Sequence, residues 1–336
     1  MFNTAFDPAH MEYSPAYENS LHFSAVFRTY AEELADALIR RHDLRNKHVI
    51  DIGCGKGDFL LLLCERGDNR GTGFDPSYVP ELHGHVESDR MRVVREFYSA
   101  AHREYRADLV TCRHVLEHIH RPRAFLQTVR DAIGDRMRTA VYFEVPNVLY
   151  TLRDRGIWDL IYEHCSYFSA SSLLSAFRAA GFRPVEAAEA FGGQYLGLHA
   201  FPGKDEPGKP PAADNDTERM HPYVEKFGEE YTRKVAFWRD YLDQAGASGA
   251  RVVVWGGGSK GVTFLNTLGA REVEFMVDIN PRKHGLFVPG TGQEVIPPGR
   301  LAAQKPDAVI VMNPLYAGEI KALLKEMGLG PEVLVA

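Results

Sequence analysis

Between residues 49 and 67 the chain reads Val-Ile-Asp-Ile-Gly-Cys-Gly-Lys-Gly-Asp-Phe-Leu-Leu-Leu-Leu-Cys-Glu-Arg-Gly, a short apolar run, three alternating glycines, then an apolar stretch again. Glycines are needed where a backbone turns sharply and lies against a ligand with no Cβ in the way. The pattern predicts a strand ending at Asp51, a turn carrying Gly53, Cys54, Gly55 and Gly57, and a helix with Phe59, Leu60 and Leu63 facing inward. This spacing is tighter than the Gly-x-Gly-x-x-Gly of dinucleotide sites. The one basic residue of the turn, Lys56, is expected to point to solvent.

A carboxylate just ahead of such a turn suits a cationic ligand such as the ammonium group of a methionine. The next predicted strand, 71–74, runs into Asp75 and Pro76. An acid there can accept both hydroxyls of a ribose, and its offset of about 20 residues from the turn fits that role. A different nucleotide, or none, is the competing reading of the turn, and a helix N-cap is the competing reading of Asp75. Phe97 and Tyr98, after the third strand, could flank an adenine or belong to the core.

Further apolar runs at 48–52, 91–94, 107–112, 139–144, 183–188 and 194–200 alternate with helical segments. Such alternation predicts a parallel sheet with helices on both faces, an α/β Rossmann-like sheet of seven strands. Residues 201–216 are rich in Pro, Gly, Asp and Lys and read as a linker. A long amphipathic helix is expected over 218–244. A second alternating series then places strands at 251–255, 272–277, 307–312 and 332–335. The first of these runs into Gly256, Gly258 and Gly261, and Asp278 ends the second. The predicted organisation is an N-terminal arm over 1–30, a cofactor domain over 31–200, a linker and helix over 201–246, and a smaller Rossmann-like α/β domain over 247–336.

At 336 residues two domains are the natural expectation. The net charge of −6, with acids and bases interleaved, gives no footprint for nucleic acid or an anionic membrane. Cys54, Cys64, Cys112 and Cys165 show no paired spacing and suggest a reducing compartment, most simply the cytoplasm. The first ten residues lack the basic start and apolar core of a signal peptide, and the apolar run 59–64 is far too short to span a bilayer.

Taken together, these segments resemble class I S-adenosylmethionine-dependent methyltransferases, and more narrowly the C-methyltransferases that act on nucleotide-linked keto sugars. Three stretches carry the resemblance: Tyr-Glu-Asn-Ser-Leu-His-Phe at 17–23, Phe-Glu-Val-Pro-Asn at 143–147 with Glu-His-Cys-Ser-Tyr-Phe-Ser at 163–169, and the glycine turn and Val-Asp-Ile-Asn-Pro-Arg-Lys-His of the second half. The resemblance implies S-adenosylmethionine as donor and a nucleotide sugar as substrate; no metal is expected. Two departures stand out. The family carries a cysteine-rich zinc module ahead of its cofactor domain, and no cysteine precedes Cys54 here. Its tyrosine stands two positions before the glutamate, whereas Tyr162 directly precedes Glu163.

Methylating carbon requires a proton to leave from beside a carbonyl, so a base near neutrality and a group that steadies the oxyanion are needed. The resemblance and this chemistry make His164 the candidate base, with Glu163 orienting it or touching substrate. Adjacent residues on a strand point apart, so a direct pairing of these two needs a loop. His118 matches a histidine of the family's active site and could bind the substrate carbonyl; a solvent-facing turn is its alternative. Arg113 and His114 would border the cofactor, with Glu117 continuing into the crevice. Histidines beside Glu117 invite a metal reading, but nothing in the sequence supplies the supporting partners such a site needs. The resemblance implies a substrate side formed by Tyr17, Asn19, His22, Glu144, Asn147 and Tyr162, with Ser259 and Lys260 from the second glycine turn and His284 from the segment after Asp278. O- or N-methylation of a sugar or other small molecule, or a scaffold that has lost its chemistry, remain the other readings.

Overall fold

A computed structural model of the chain describes residues 1–10, 20–80, 89–204 and 216–336. These form two compact units, one containing Tyr30–Tyr150 and Tyr162–His221, the other Thr151–Ile161 and Pro222–Ala336. The division is not one cut: residues 151–161, expected inside the cofactor domain, group with the second unit.

The first unit runs α1 (Ala25–His42), β1 (His48–Ile52), α2 (Asp58–Gly67), β2 (Arg70–Phe74), β3 (Met91–Val94), β4 (Leu109–Arg113), α3 (Pro122–Ile133), β5 (Ala140–Pro146), α4 (Val148–Leu152), α5 (Ala170–Ala179), β6 (Phe182–Ala190) and β7 (Tyr195–Pro202). Its seven strands lie in the order β3-β2-β1-β4-β5-β7-β6, parallel except for β7, which runs antiparallel to both β5 and β6. The central strands read as nearly unbroken apolar runs because both faces are covered. Ile50, Ile52, Val110, Cys112, Val141, Phe143 and Val145 share one core with Leu126, Val129 and Ile133 of α3 and Phe177 of α5.

In the second unit α6 (Asp216–Ser248) leads to β8 (Val252–Trp255), α7 (Ser259–Leu268), β9 (Phe275–Val277), β10 (Glu294–Ile296), α8 (Leu301–Gln304), β11 (Ala308–Val311), α9 (Ala317–Glu326) and β12 (Glu332–Val335). The order β10-β9-β8-β11-β12 is entirely parallel. Trp158, from the 151–161 segment, meets Phe264 of α7 with ring centroids 4.8 Å apart, and Trp238 of α6 meets the same ring at 5.5 Å. Strand β10 was not foreseen: three residues inside Gly-Thr-Gly-Gln-Glu-Val-Ile-Pro-Pro-Gly are too few to show alternation. Strand β9 begins later than expected, since residues 271–272 form a turn. Among the described residues no helix is long and apolar enough to cross a membrane.

Candidate active site

The chemistry of the first unit gathers at the carboxyl ends of β1, β2, β4 and β5, where an open α/β sheet presents its loops to ligands. The turn after β1 holds Gly53, Gly55 and Gly57 at φ 68°, 55° and 86°, the left-handed region that side chains other than glycine rarely adopt. A Cβ on Gly53 would lie 2.2 Å from Cγ2 of Val115, whereas one on Gly55 would meet nothing within 4 Å. Gly53 therefore serves packing, and Gly55 leaves open space beside the backbone. Gly53→Ala is expected to cost about 2–4 kcal/mol from backbone strain and overpacking. Urea unfolding checks this, and a loss below about 0.5 kcal/mol would contradict it. Lys56 is buried rather than solvent-facing as predicted, since the turn folds in around it.

Two acids flank the turn. Asp51 is buried and accepts a hydrogen bond from the Thr111 hydroxyl at 2.7 Å. Burial pushes its pKa up to about 6, against the pull of Thr111 and Arg113. Asp75 accepts the Gly55 amide at 2.8 Å on Oδ2, and the Ser77 amide and hydroxyl at 2.9 and 2.6 Å on Oδ1. Oδ1 is thus filled, and Oδ2 keeps one lone pair for a ribose hydroxyl. An open glycine turn between two strand-end carboxylates fits a cationic nucleoside such as S-adenosylmethionine. A ligand cation at Asp51 requires the ionised acid, so donor affinity is expected to fall about tenfold per unit below about pH 6. Calorimetry from about pH 5 to pH 8 checks this; constant affinity over that range would contradict it.

Beyond β4 the chain builds a charged cluster. Arg113 donates from Nε and Nη2 to Oε1 of Glu144 at 3.0 and 2.9 Å, and its guanidinium lies 4.1 Å from the Phe59 ring centre. Glu144 is completely buried, and its Oε2 accepts the hydroxyls of Tyr30 and Tyr142. Although burial opposes its ionisation, Arg113 and His114 hold Glu144 well below the usual carboxylate range. His114 takes a left-handed backbone (φ 55°) that lets its amide donate to the Glu144 main-chain carbonyl at 2.9 Å. A non-glycine residue stays in that region only where its surroundings hold it. Its ring sits edge-on to Tyr195 at 4.4 Å, with Nε2 3.0 Å from Glu144 and Nδ1 3.7 Å from Glu117. Burial works against charge on His114, but the two carboxylates carry its pKa up to about 9.

Glu117 is 1% exposed, and despite that burial the neighbouring histidines keep its carboxyl below the ordinary range. Glu117, His118 and His164 each bring a ligand atom within 4.8 Å of the others. His118 donates from Nδ1 to the main-chain carbonyl of Glu163 at 3.1 Å, and its ring meets that of buried His164 at 5.0 Å. The spacing alone could close on a metal ion. His114, however, already supplies the positive charge beside Glu117, and a protonated imidazole repels a dication.

Several predicted site residues prove to be placed otherwise. Glu163 is exposed, and its carbonyl rather than its carboxylate engages His118. Glu144 is sealed away and acts on Arg113 and His114, not on a ligand. Asn147 is buried, donating to Gly193 at 2.9 Å and accepting from Leu149 at 3.1 Å to shape the start of α4. The Tyr162 hydroxyl accepts the Asp7 amide at 3.0 Å and donates to the Ala5 carbonyl at 3.3 Å, pinning the first residues of the chain. Tyr98 is in the core against Phe74 at 4.9 Å, while Phe97 is 71% exposed and Pro76 is also exposed. Tyr17 and Asn19 lie outside the described residues.

In the second unit, His22 packs edge-on to Phe27 at 5.2 Å. Lys260 pairs with Asp159 at 3.0 Å, His284 contacts the Asp278 carbonyl at 2.8 Å, and Ser259 stands exposed at the start of α7. Asp278 accepts the Gly257 amide at 2.8 Å, much as Asp75 accepts that of Gly55. Here the acid is balanced by buried Lys283, whose Nζ lies 3.4 Å away and donates to the Gly257 carbonyl at 3.1 Å.

Sheet order, glycine turn and strand-end acids define the class: a class I methyltransferase. A methyltransferase-domain family model matches residues 23–187, and a model for a C-methyltransferase C-terminal domain matches residues 213–330. The C-methyltransferase NovU of Streptomyces niveus is 26% identical over 309 residues, spanning 87% of this chain and 72% of that protein. Among solved structures, 1,6-didemethyltoxoflavin-N1-methyltransferase of Burkholderia thailandensis is similar at 22% identity, covering 54% of this chain and 82% of its own, with a TM-score of 0.41. N,N-8-amino-8-demethyl-D-riboflavin dimethyltransferase of Streptomyces davawensis is similar at 17%, over 53% and 56%, with a TM-score of 0.43. The chain is a class I S-adenosylmethionine-dependent methyltransferase whose second half matches a C-methyltransferase C-terminal domain.

Proposed function

We propose that this enzyme methylates a carbon beside the carbonyl of a nucleotide-linked keto sugar, with His164 removing the proton. One observation carries the reading. Val115 packs into the place that a Gly53 side chain would fill, so the segment bearing His114, Glu117 and His118 abuts the cofactor turn. Base cluster and donor turn are thus one construction within a single unit.

When bound, S-adenosylmethionine supplies an electrophilic methyl group on a sulfonium. The protein's own tasks are to position, exclude water and move one proton. Hydrogen bonding to the Glu163 carbonyl fixes the Nδ1 proton of His118 and leaves Nε2 as the nitrogen that can face substrate. From there His118 can steady the developing oxyanion when protonated. His164, buried beside it, takes the proton from substrate carbon, and the enolate that remains is the nucleophile. Similarity to a C-methyltransferase across most of the chain supports carbon over oxygen or nitrogen as the acceptor.

Incubation of the whole chain with candidate nucleotide keto sugars in deuterated water, donor omitted, tests this. Deuterium is expected at the carbon α to the ketone in the wild type and not in His164→Gln. Methyl transfer without any such exchange would instead mark a hydroxyl or amine as the acceptor.

A further inference from the structure

We infer that Glu117, and not the adjacent Glu163, is the carboxylate that positions His164 and His118 for proton transfer. This rests on the proposed role of His164 as base.

Glu117 is 1% exposed, and among the described residues its Oε2 accepts no hydrogen bond. A carboxylate enclosed in this way is costly unless other charges compensate it. The compensation runs outward through the cluster. His114 lies 3.7 Å from Glu117 on one side and 3.0 Å from Glu144 on the other. Glu144 in turn takes Arg113 on Oε1 and the Tyr30 and Tyr142 hydroxyls on Oε2. Two acids and two bases, Glu144, Arg113, His114 and Glu117, therefore balance to zero.

Among the described residues, His118, His164 and the Cys112 thiol also act on Glu117, with the Tyr195 ring against His114 and the Cys165 thiol donating to the His118 carbonyl at 3.2 Å. Oε1 lies 3.7 Å from His114, Oε2 has room for a donor, and a carboxylate oxygen of Glu117 stands within 4.8 Å of a ring nitrogen of both His118 and His164. When a proton passes from substrate carbon to His164, the cluster gains one positive charge. Ionised Glu117 is the nearest acid to receive that charge, and before transfer it selects which ring nitrogen of His164 carries the hydrogen. The Glu163 carboxylate faces solvent and can do neither. His114 acts one step further out by keeping Glu117 ionised.

Two measurements decide this. In long-range nitrogen–proton correlation spectra of the wild-type protein without ligands, His164 is expected as one tautomer, protonated on the nitrogen facing Glu117. A mixture of tautomers would overturn the assignment even if no variant folds. In kinetics, Glu117→Gln keeps the shape and removes the charge; kcat is expected to fall ~100-fold or more, with donor affinity unchanged. The acid limb of its pH–rate profile is expected to move, and Glu117→Asp should restore part of the rate and return the limb toward wild type. Wild-type kcat and profile in Glu117→Gln would also overturn the assignment. Should the tautomer come out as expected while His164→Gln remains fully active, the role of His164 as base fails and the placement of Glu117 stands.

Discussion

Turnover is expected to fall ~1,000-fold or more in His164→Gln, while the affinity for S-adenosylhomocysteine stays within about twofold of wild type. The asymmetry follows from position. His164 sits in the loop between α4 and α5, in contact with His118 and Tyr167. The proposed donor site lies at β1, β2 and the turn at 53–57, with Asp51 and Asp75 as its acids. Glutamine keeps a polar, hydrogen-bonding side chain in the buried space but cannot take up a proton at neutral pH. Single-turnover methyl transfer together with calorimetry separates the two effects. Equal losses of rate and donor affinity would show that the residue supports the fold, not the chemistry.

The largest stability effect is expected at Glu144. Replacing it with leucine leaves the Arg113 guanidinium and the His114 imidazolium buried beside an apolar side chain, and removes the acceptor for Tyr30 and Tyr142. Breaking a buried ionic group by removing one partner costs about 3–5 kcal/mol. The pH dependence carries a matching signature. His114 is raised from 6.5 to about 9, so its contribution is complete below about 6.5 and disappears as pH rises through about 9. Glu144 and Glu117 are depressed, so theirs is present above the ordinary carboxylate range and is lost on acidification. Wild-type stability should therefore decline between about pH 6.5 and pH 9, and Glu144→Leu, which leaves Glu117 beside His114, should lose part of that decline along with the stability itself. Urea midpoints across this range check both parts. A variant as stable as wild type, with the alkaline decline intact, would contradict the network.

Much of the scaffold was legible because parallel strands covered on both faces must be apolar almost throughout. The runs at 48–52 and 91–94 became β1 and β3 at the same residues. The turn at 53–57 declared itself through glycines that the backbone needs at positive φ. What stayed hidden was the pairing of buried charge. Sequence adjacency joined Glu163 to His164, yet the loop turns that carboxylate to solvent and brings Glu117 in from another segment. Spacing between neighbours cannot say which of two acids is enclosed. A partial signal did exist at β5: Tyr142 and Glu144, two apart on a strand, had to share a face, so the acid was placed beside a hydroxyl donor inside the sheet. The enclosing partners, Arg113 and Tyr30, come from 31 and 114 residues away and could not be read locally.

Calorimetric titration of the full chain with S-adenosylhomocysteine, wild type beside Asp75→Asn, bears most directly on the donor site. One molecule is expected to bind per chain, with a loss of about tenfold to a hundredfold in affinity when the Asp75 charge is removed. No heat of binding to the wild type, or equal affinity in the two proteins, would contradict it.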